Sequence, residues 1–228
     1  MSKDLVYIIG DSFFNPELGN WIEQCFSQSN YEVKNLALSG TGLFRQLDNL
    51  TQLEQQTDFD NIKYCVVGWS SPARLYDNNE RRDWTIGSIL DTPARHFEDK
   101  TSWKNKRQAL HELDKHDFFN YDYRYKIAKM LLEWVNEFVY KNKKYSHIKF
   151  INFYCVYEKQ YQINFDNQIT VLPSLFDYFS NVYPDINVPV MNHMQPEHHI
   201  KMAKFLSKII QQSRENQKLV FNLKDEIK

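Results

Sequence analysis

The chain is poor in the residues that bend or cross-link a backbone. Only 6 glycines and 7 prolines occur in 228 residues, which excludes a collagen-like or low-complexity chain. A residue that scarce and that flexible stands where the backbone needs it. The three cysteines, odd in number and widely spaced, exclude a disulfide framework; Cys65 and Cys155 lie inside apolar runs and read as buried thiols. No charge of one sign predominates, since 28 Lys and Arg against 29 Asp and Glu leave a formal −1. The basic field that holds nucleic acid or an anionic membrane non-specifically is therefore missing. No apolar run approaches the ~20 residues that span a bilayer. Met1-Ser2-Lys3-Asp4 leads into a strand without a cleavable small-residue site, so a cytoplasmic protein with neither membrane nor nucleic-acid partners is expected. What is present builds a core: 42% hydrophobic and 15% aromatic residues, with 25% charged for the surface and a mean hydropathy of −0.62. One domain over 1–215, followed by a polar C-terminal tail at 216–228, is the expected organisation.

Residues 5–9, Leu-Val-Tyr-Ile-Ile, form a β-rich apolar run ended by Gly10-Asp11-Ser12, the pattern of a strand buried on both faces. A helix follows, with Pro16 in its first turn and Leu18, Trp21, Ile22, Cys25 and Phe26 at helical spacing. Residues 31–38 read as a second strand ending at Ser39-Gly40-Thr41-Gly42, 43–57 as an amphipathic helix, and 62–68 as a third strand. Strand, turn and helix repeated in this way predict a parallel α/β sheet with helices on both faces. Periodicity is lost over about 69–120, a long polar insertion after strand three. Residues 121–143 then read as a helix with Ile127, Met130, Leu131, Trp134, Val135 and Phe138 on one face, and 147–156 as a fourth strand. A proline-punctuated stretch leads to Pro189-Val190-Met191-Asn192-His193 and a closing helix over 196–212.

In an open parallel sheet, ligands bind beyond the carboxyl ends of the strands. Ser12, Gly40, Ser70 and His193 all follow strands or lead into the last helix. Ser12 at a strand-to-helix turn is favoured as a nucleophile, because free N–H groups there stabilise developing negative charge. The Ser12 and Gly40 N–H groups with the Ser70 hydroxyl form a candidate oxyanion hole, and His193 is the candidate base. Plainer roles fit the same residues: a capping serine at 12 or 70, a turn glycine at 40, and a solvated surface for the basic pieces of the insertion. His193, His198 and His199 match no zinc spacing and have no cysteine beside them, so no metal is expected. A glycine-rich phosphate loop is absent, which counts against a nucleotide binder.

These residues resemble the SGNH (GDSL-type) hydrolases. Ile8-Ile9-Gly10-Asp11-Ser12 is similar to the family's first block, with Ser12 at the nucleophile position. Asn35-Leu36-Ala37-Leu38-Ser39-Gly40 is similar to the second, with Gly40 at the oxyanion position. The last block, a His before a Pro-Glu turn and closing helix, resembles His193-Met194-Gln195-Pro196-Glu197 and the residues that follow. The resemblance implies a flavodoxin-like three-layer α/β/α fold and hydrolysis of an acyl or acetyl ester through an acyl-enzyme, on a small-molecule or carbohydrate substrate and without a cofactor. Two positions depart from it. Ser70 stands where the family has an oxyanion Asn, and Val190 where it has the triad Asp, three residues before His193. A backbone carbonyl, Asn192 or Asp185 is then the candidate group to orient His193. The variant Gly68-Trp69-Ser70-Ser71-Pro72-Ala73-Arg74 is similar to bacteriophage-encoded members. His199 is expected to pack inward and His198 to project elsewhere, and the insertion to border the mouth of the site. The alternative is an inactive SGNH-like binding or accessory protein.

Overall fold

The computed structural model describes residues 3–15, 21–26, 30–38, 41–72, 74–77, 82–85, 105, 108–109, 112, 120–156, 158–182, 196–214 and 219–226. Among them are the strands β1 (Asp4–Ile9), β2 (Tyr31–Asn35), β3 (Ile62–Trp69), β4 (Arg74–Asp77), β5 (Arg82–Thr85), β6 (Lys149–Tyr154), β7 (Ile169–Leu172) and β8 (Val220–Asn222). The helices are α1 (Trp21–Phe26), α2 (Leu43–Thr51), α3 (Tyr121–Val135), α4 (Leu175–Val182), α5 (Pro196–Arg214) and α6 (Leu223–Glu226). Six strands form one sheet in the order β2-β1-β3-β6-β7-β8, every neighbouring pair parallel.

Successive strand residues point to opposite faces, and β1 is apolar on both. Val6 and Ile8 meet Trp21, Phe26, Met202, Phe205 and Leu206 of α1 and α5 on one side. Leu5, Tyr7 and Ile9 meet Leu43, Leu47, Ala128 and Leu132 of α2 and α3 on the other. The result is a three-layer α/β/α fold whose first five sheet strands follow the flavodoxin order.

Two of the scarce glycines serve packing. The Phe14 ring, buried against Trp21 and Phe153, lies over Gly10 and Gly68, and a Cβ at Gly68 would sit 2.2 Å from Phe14 Cε2. Gly68→Ala is therefore expected to cost about 1–3 kcal/mol by overpacking, which lowers Tm by roughly 2–10 °C in a domain of this size. An unchanged calorimetric Tm would show that the ring yields.

Three sequence expectations change. Residues 216–228 are not merely a polar tail, because Val220–Asn222 adds the sixth strand and buries Phe221, with Leu223 beside it. The stretch after β6 contains β7 and α4. On α3 and its π-helical continuation Asn136–Tyr140 the buried stripe is Ala128, Leu132, Val135 and Val139, whereas Met130, Trp134 and Phe138 face outward. The insertion begins at the carboxyl end of β3 with the antiparallel hairpin β4–β5, whose first strand lies beside α2. Residues 86–104 lie outside the described residues.

Candidate active site

The strand order turns back between β1 and β3, the place where an open α/β sheet leaves a crevice at its carboxyl edge. Asp11 and Ser12 follow β1 there, and Ser70 follows β3.

The turn bearing Ser12 is tied on four sides. Phe14 N donates to Asp11 O at 3.0 Å, and Phe13 N donates to Asp11 Oδ1 at 3.0 Å, so the aspartate closes the turn through both its backbone and its side chain. Trp21 Nε1 donates to Phe13 O at 2.9 Å, and Asn35 Nδ2 donates to Phe14 O at 2.9 Å. Asn35 Oδ1 in turn accepts from Ala37 N at 2.9 Å, so the chain leaving β2 is set by the same side chain. Ser12 is 7% exposed. Among the described residues its hydroxyl and N–H make no hydrogen bond.

Ser70 is differently placed. Its hydroxyl donates to Asp11 Oδ2 at 2.9 Å, and its N–H donates to Gln46 Oε1 at 2.9 Å. Gln46, buried in the first turn of α2, completes the clamp by donating from Nε2 to Gly68 O at 2.7 Å. Tyr161 donates its hydroxyl to Val156 O at 2.8 Å and lies 3.2 Å from Ser70 O. A hydroxyl has one proton to donate, and that of Ser70 goes to Asp11. The expectation that Ser70 donates to an oxyanion therefore gives way to a positioning role, joining the ends of β1 and β3 through Asp11. Ser70→Ala removes one donor from a buried carboxyl, so a loss of about 1–3 kcal/mol in stability is expected with turnover within about tenfold of the parent. An oxyanion donor would instead cost about 10²–10³ in turnover, and such a loss at unchanged Tm would restore the original role.

Sequence reasoning did not single out Asp11, Asn35, Gln46 or Tyr161. Asp11 and Asn35 carry a local signal, an Asp or Asn two residues before the amide it caps. Of the histidines, His198 and His199 are both buried, and His198 stacks on Phe179 at 4.8 Å. That corrects the expectation that it projects elsewhere. Gly40, Asp185, Val190, Asn192 and His193 lie outside the described residues. Burial raises the thiol pKa of both Cys25 and Cys65, so neither supplies a thiolate nucleophile at neutral pH. Among the described residues no group of three or more His, Cys, Asp or Glu is placed to hold a metal ion, and no helix is long and apolar enough to cross a membrane.

No family model matches the chain, and no curated protein matches it in sequence. Among solved structures it is similar to a protein from Parabacteroides merdae ATCC 43184 described as a GDSL-like lipase, with a TM-score of 0.39 and 12% identity over 90% of this chain and 94% of that one.

Proposed function

We propose that the protein is a serine esterase or deacetylase that hydrolyses an acyl or acetyl ester, on a small molecule or a carbohydrate, through an acyl-enzyme. The observation that carries this reading is the contrast at the β1/β3 crevice. Asp11, Ser70 and Gln46 are engaged with one another or with backbone, whereas the Ser12 hydroxyl, in a turn tied on four sides, is not engaged among the described residues.

In this mechanism Ser12 Oγ attacks the ester carbonyl carbon while His193 takes its proton. The N–H groups of Ser12 and Gly40 receive the negative charge that develops on the carbonyl oxygen. Collapse expels the alcohol, protonated by His193, and leaves the acyl group on Ser12. Water, deprotonated by His193, then attacks the acyl carbon and returns Ser12 with the free acid. Asp11 and Ser70 position the turn, and the hairpin β4–β5 leaves β3 at this edge, where an insertion can narrow the range of substrates.

An activated aryl acetate tests the reading. The expected result is a burst of phenol approaching one equivalent per chain, followed by slower steady release, the signature of a covalent intermediate. Release no faster than in buffer, with folded protein, would favour the binding or accessory role instead.

A further inference from the structure

The amino end of the sheet, opposite the crevice that holds Ser12, carries a second cleft of about 340 Å³. Asp4 of β1, Tyr31 of β2, Lys63 and Tyr64 of β3, and His147 and Lys149 at the entrance to β6 line it. The last turn of α5 closes one side with Ser213.

Lys63 reaches this cleft through an irregularity in its strand. Leu5 pairs with Ile62 and the next residue, Val6, with Tyr64, so Lys63 is an extra residue with no counterpart on β1. Ile62 and Tyr64 would share a face in a regular strand, yet they pack on opposite faces of the sheet. A bulge re-aims side chains in this way, and bulges recur beside functional sites. Tyr64 pairs in turn with Lys149 across β3 and β6, so the bulge brings a second lysine into the same cleft.

The two lysines are poorly neutralised. Lys149 is half-buried and donates one hydrogen bond, to Asn167 O at 3.0 Å, with no carboxylate beside it among the described residues. An ammonium has three protons to donate. Burial lowers its pKa, the sign of a cation that has lost water without gaining a counter-charge. Lys63 Nζ lies 3.9 Å from Asp4 Oδ1, beyond hydrogen-bond reach. The carbonyl pole of α5 also favours cations at this end, but neither lysine is bonded to it.

We propose that this cleft binds a phosphomonoester of a small organic molecule, the phosphate held between Lys63 and Lys149 and the organic part laid on Tyr31 and Tyr64. A phosphomonoester carries a charge of about −1.5 to −2 at pH 7 and three strong acceptor oxygens, enough to neutralise both ammonium groups and to accept the protons that the protein leaves unused. A carboxylate brings one charge and two oxygens, a weaker match to two lysines. The Tyr31 and Tyr64 rings meet edge to face at 5.7 Å and form the apolar wall that small-molecule sites combine with a few charged groups. This site lies at the far end of the sheet from Ser12, so it stands or falls separately from the esterase reading.

Calorimetric titration of the full chain with phenyl phosphate tests the inference, with inorganic phosphate as the second arm. Saturable one-to-one binding of phenyl phosphate in the millimolar range or tighter is expected, and weaker binding of inorganic phosphate. Lys149→Met and Lys63→Met are each expected to raise Kd about tenfold or more. Lys129→Met, which removes the same charge from an exposed position on α3, is expected to leave Kd unchanged. No saturation at millimolar ligand overturns the inference, as does binding indifferent to both cleft substitutions. Equal affinity for phenyl phosphate and inorganic phosphate overturns the part given to the tyrosines.

Discussion

Ser12→Ala is expected to lower ester turnover by roughly 10⁴–10⁶, the loss seen when a seryl nucleophile is removed from a catalytic unit, while leaving the melting temperature close to that of the parent. The two halves of this expectation come from the same geometry. The hydroxyl makes no hydrogen bond among the described residues, so its removal takes no hydrogen bond from them. The turn itself is held by hydrogen bonds of Asp11, Trp21 and Asn35 to the Phe13 and Phe14 backbone, not to the hydroxyl. A plain capping serine behaves in the opposite way, because its loss costs about 1 kcal/mol of stability and leaves turnover alone. Circular dichroism melting beside kcat/KM for an activated acetate separates the two. Parent-like hydrolysis by folded Ser12→Ala protein would remove Ser12 from the chemistry.

The second large effect is a gain. Val190 stands where the resemblance places the carboxylate that orients the base. In serine proteases, exchanging that carboxylate for a neutral amide lowers turnover by about 10⁴, because the imidazole takes the wrong tautomer and its cation is left unstabilised. Val190→Asp should therefore raise turnover substantially, up to about that factor, and move the pH–rate profile to higher pH, since a neighbouring anion favours the charged imidazole of His193. If His193 is instead oriented by Asn192 or Asp185, then Val190→Asp changes little and Asn192→Ala or Asp185→Asn removes most of the activity. A pH–rate profile of the three variants distinguishes these arrangements.

How much of this was readable from the sequence depended on range. The strands β1 and β3 are largely apolar runs closed by Gly or Ser, β2 alternates polar and apolar residues, and their places and parallel sense followed from pattern alone. Ser12 and Ser70 fell at the ends of β1 and β3 for the same reason. The strands β7 and β8, of four and three residues, are too short to show a period. Phe221 is buried against Phe205 of α5, a contact made by the tertiary fold that the local sequence does not reveal. On α3 both the buried and the exposed stripes have helical spacing, and the larger side chains, Trp134 and Phe138, point the wrong way for a reading based on hydropathy. The site shows the same limit. Ser70 was read as an oxyanion donor because its partner Asp11 is 59 residues away, and Gln46, 24 residues from Ser70, looked like one more polar residue in an amphipathic helix.

The claim that Ser12 is the nucleophile is tested most directly by intact-mass and peptide mapping after treatment with a fluorophosphonate, which phosphonylates an activated serine and releases fluoride. One adduct per chain is predicted, on the peptide containing Ser12, and none on Ser12→Ala protein. No adduct on the folded parent, or an adduct that persists when Ser12 is replaced, would contradict it.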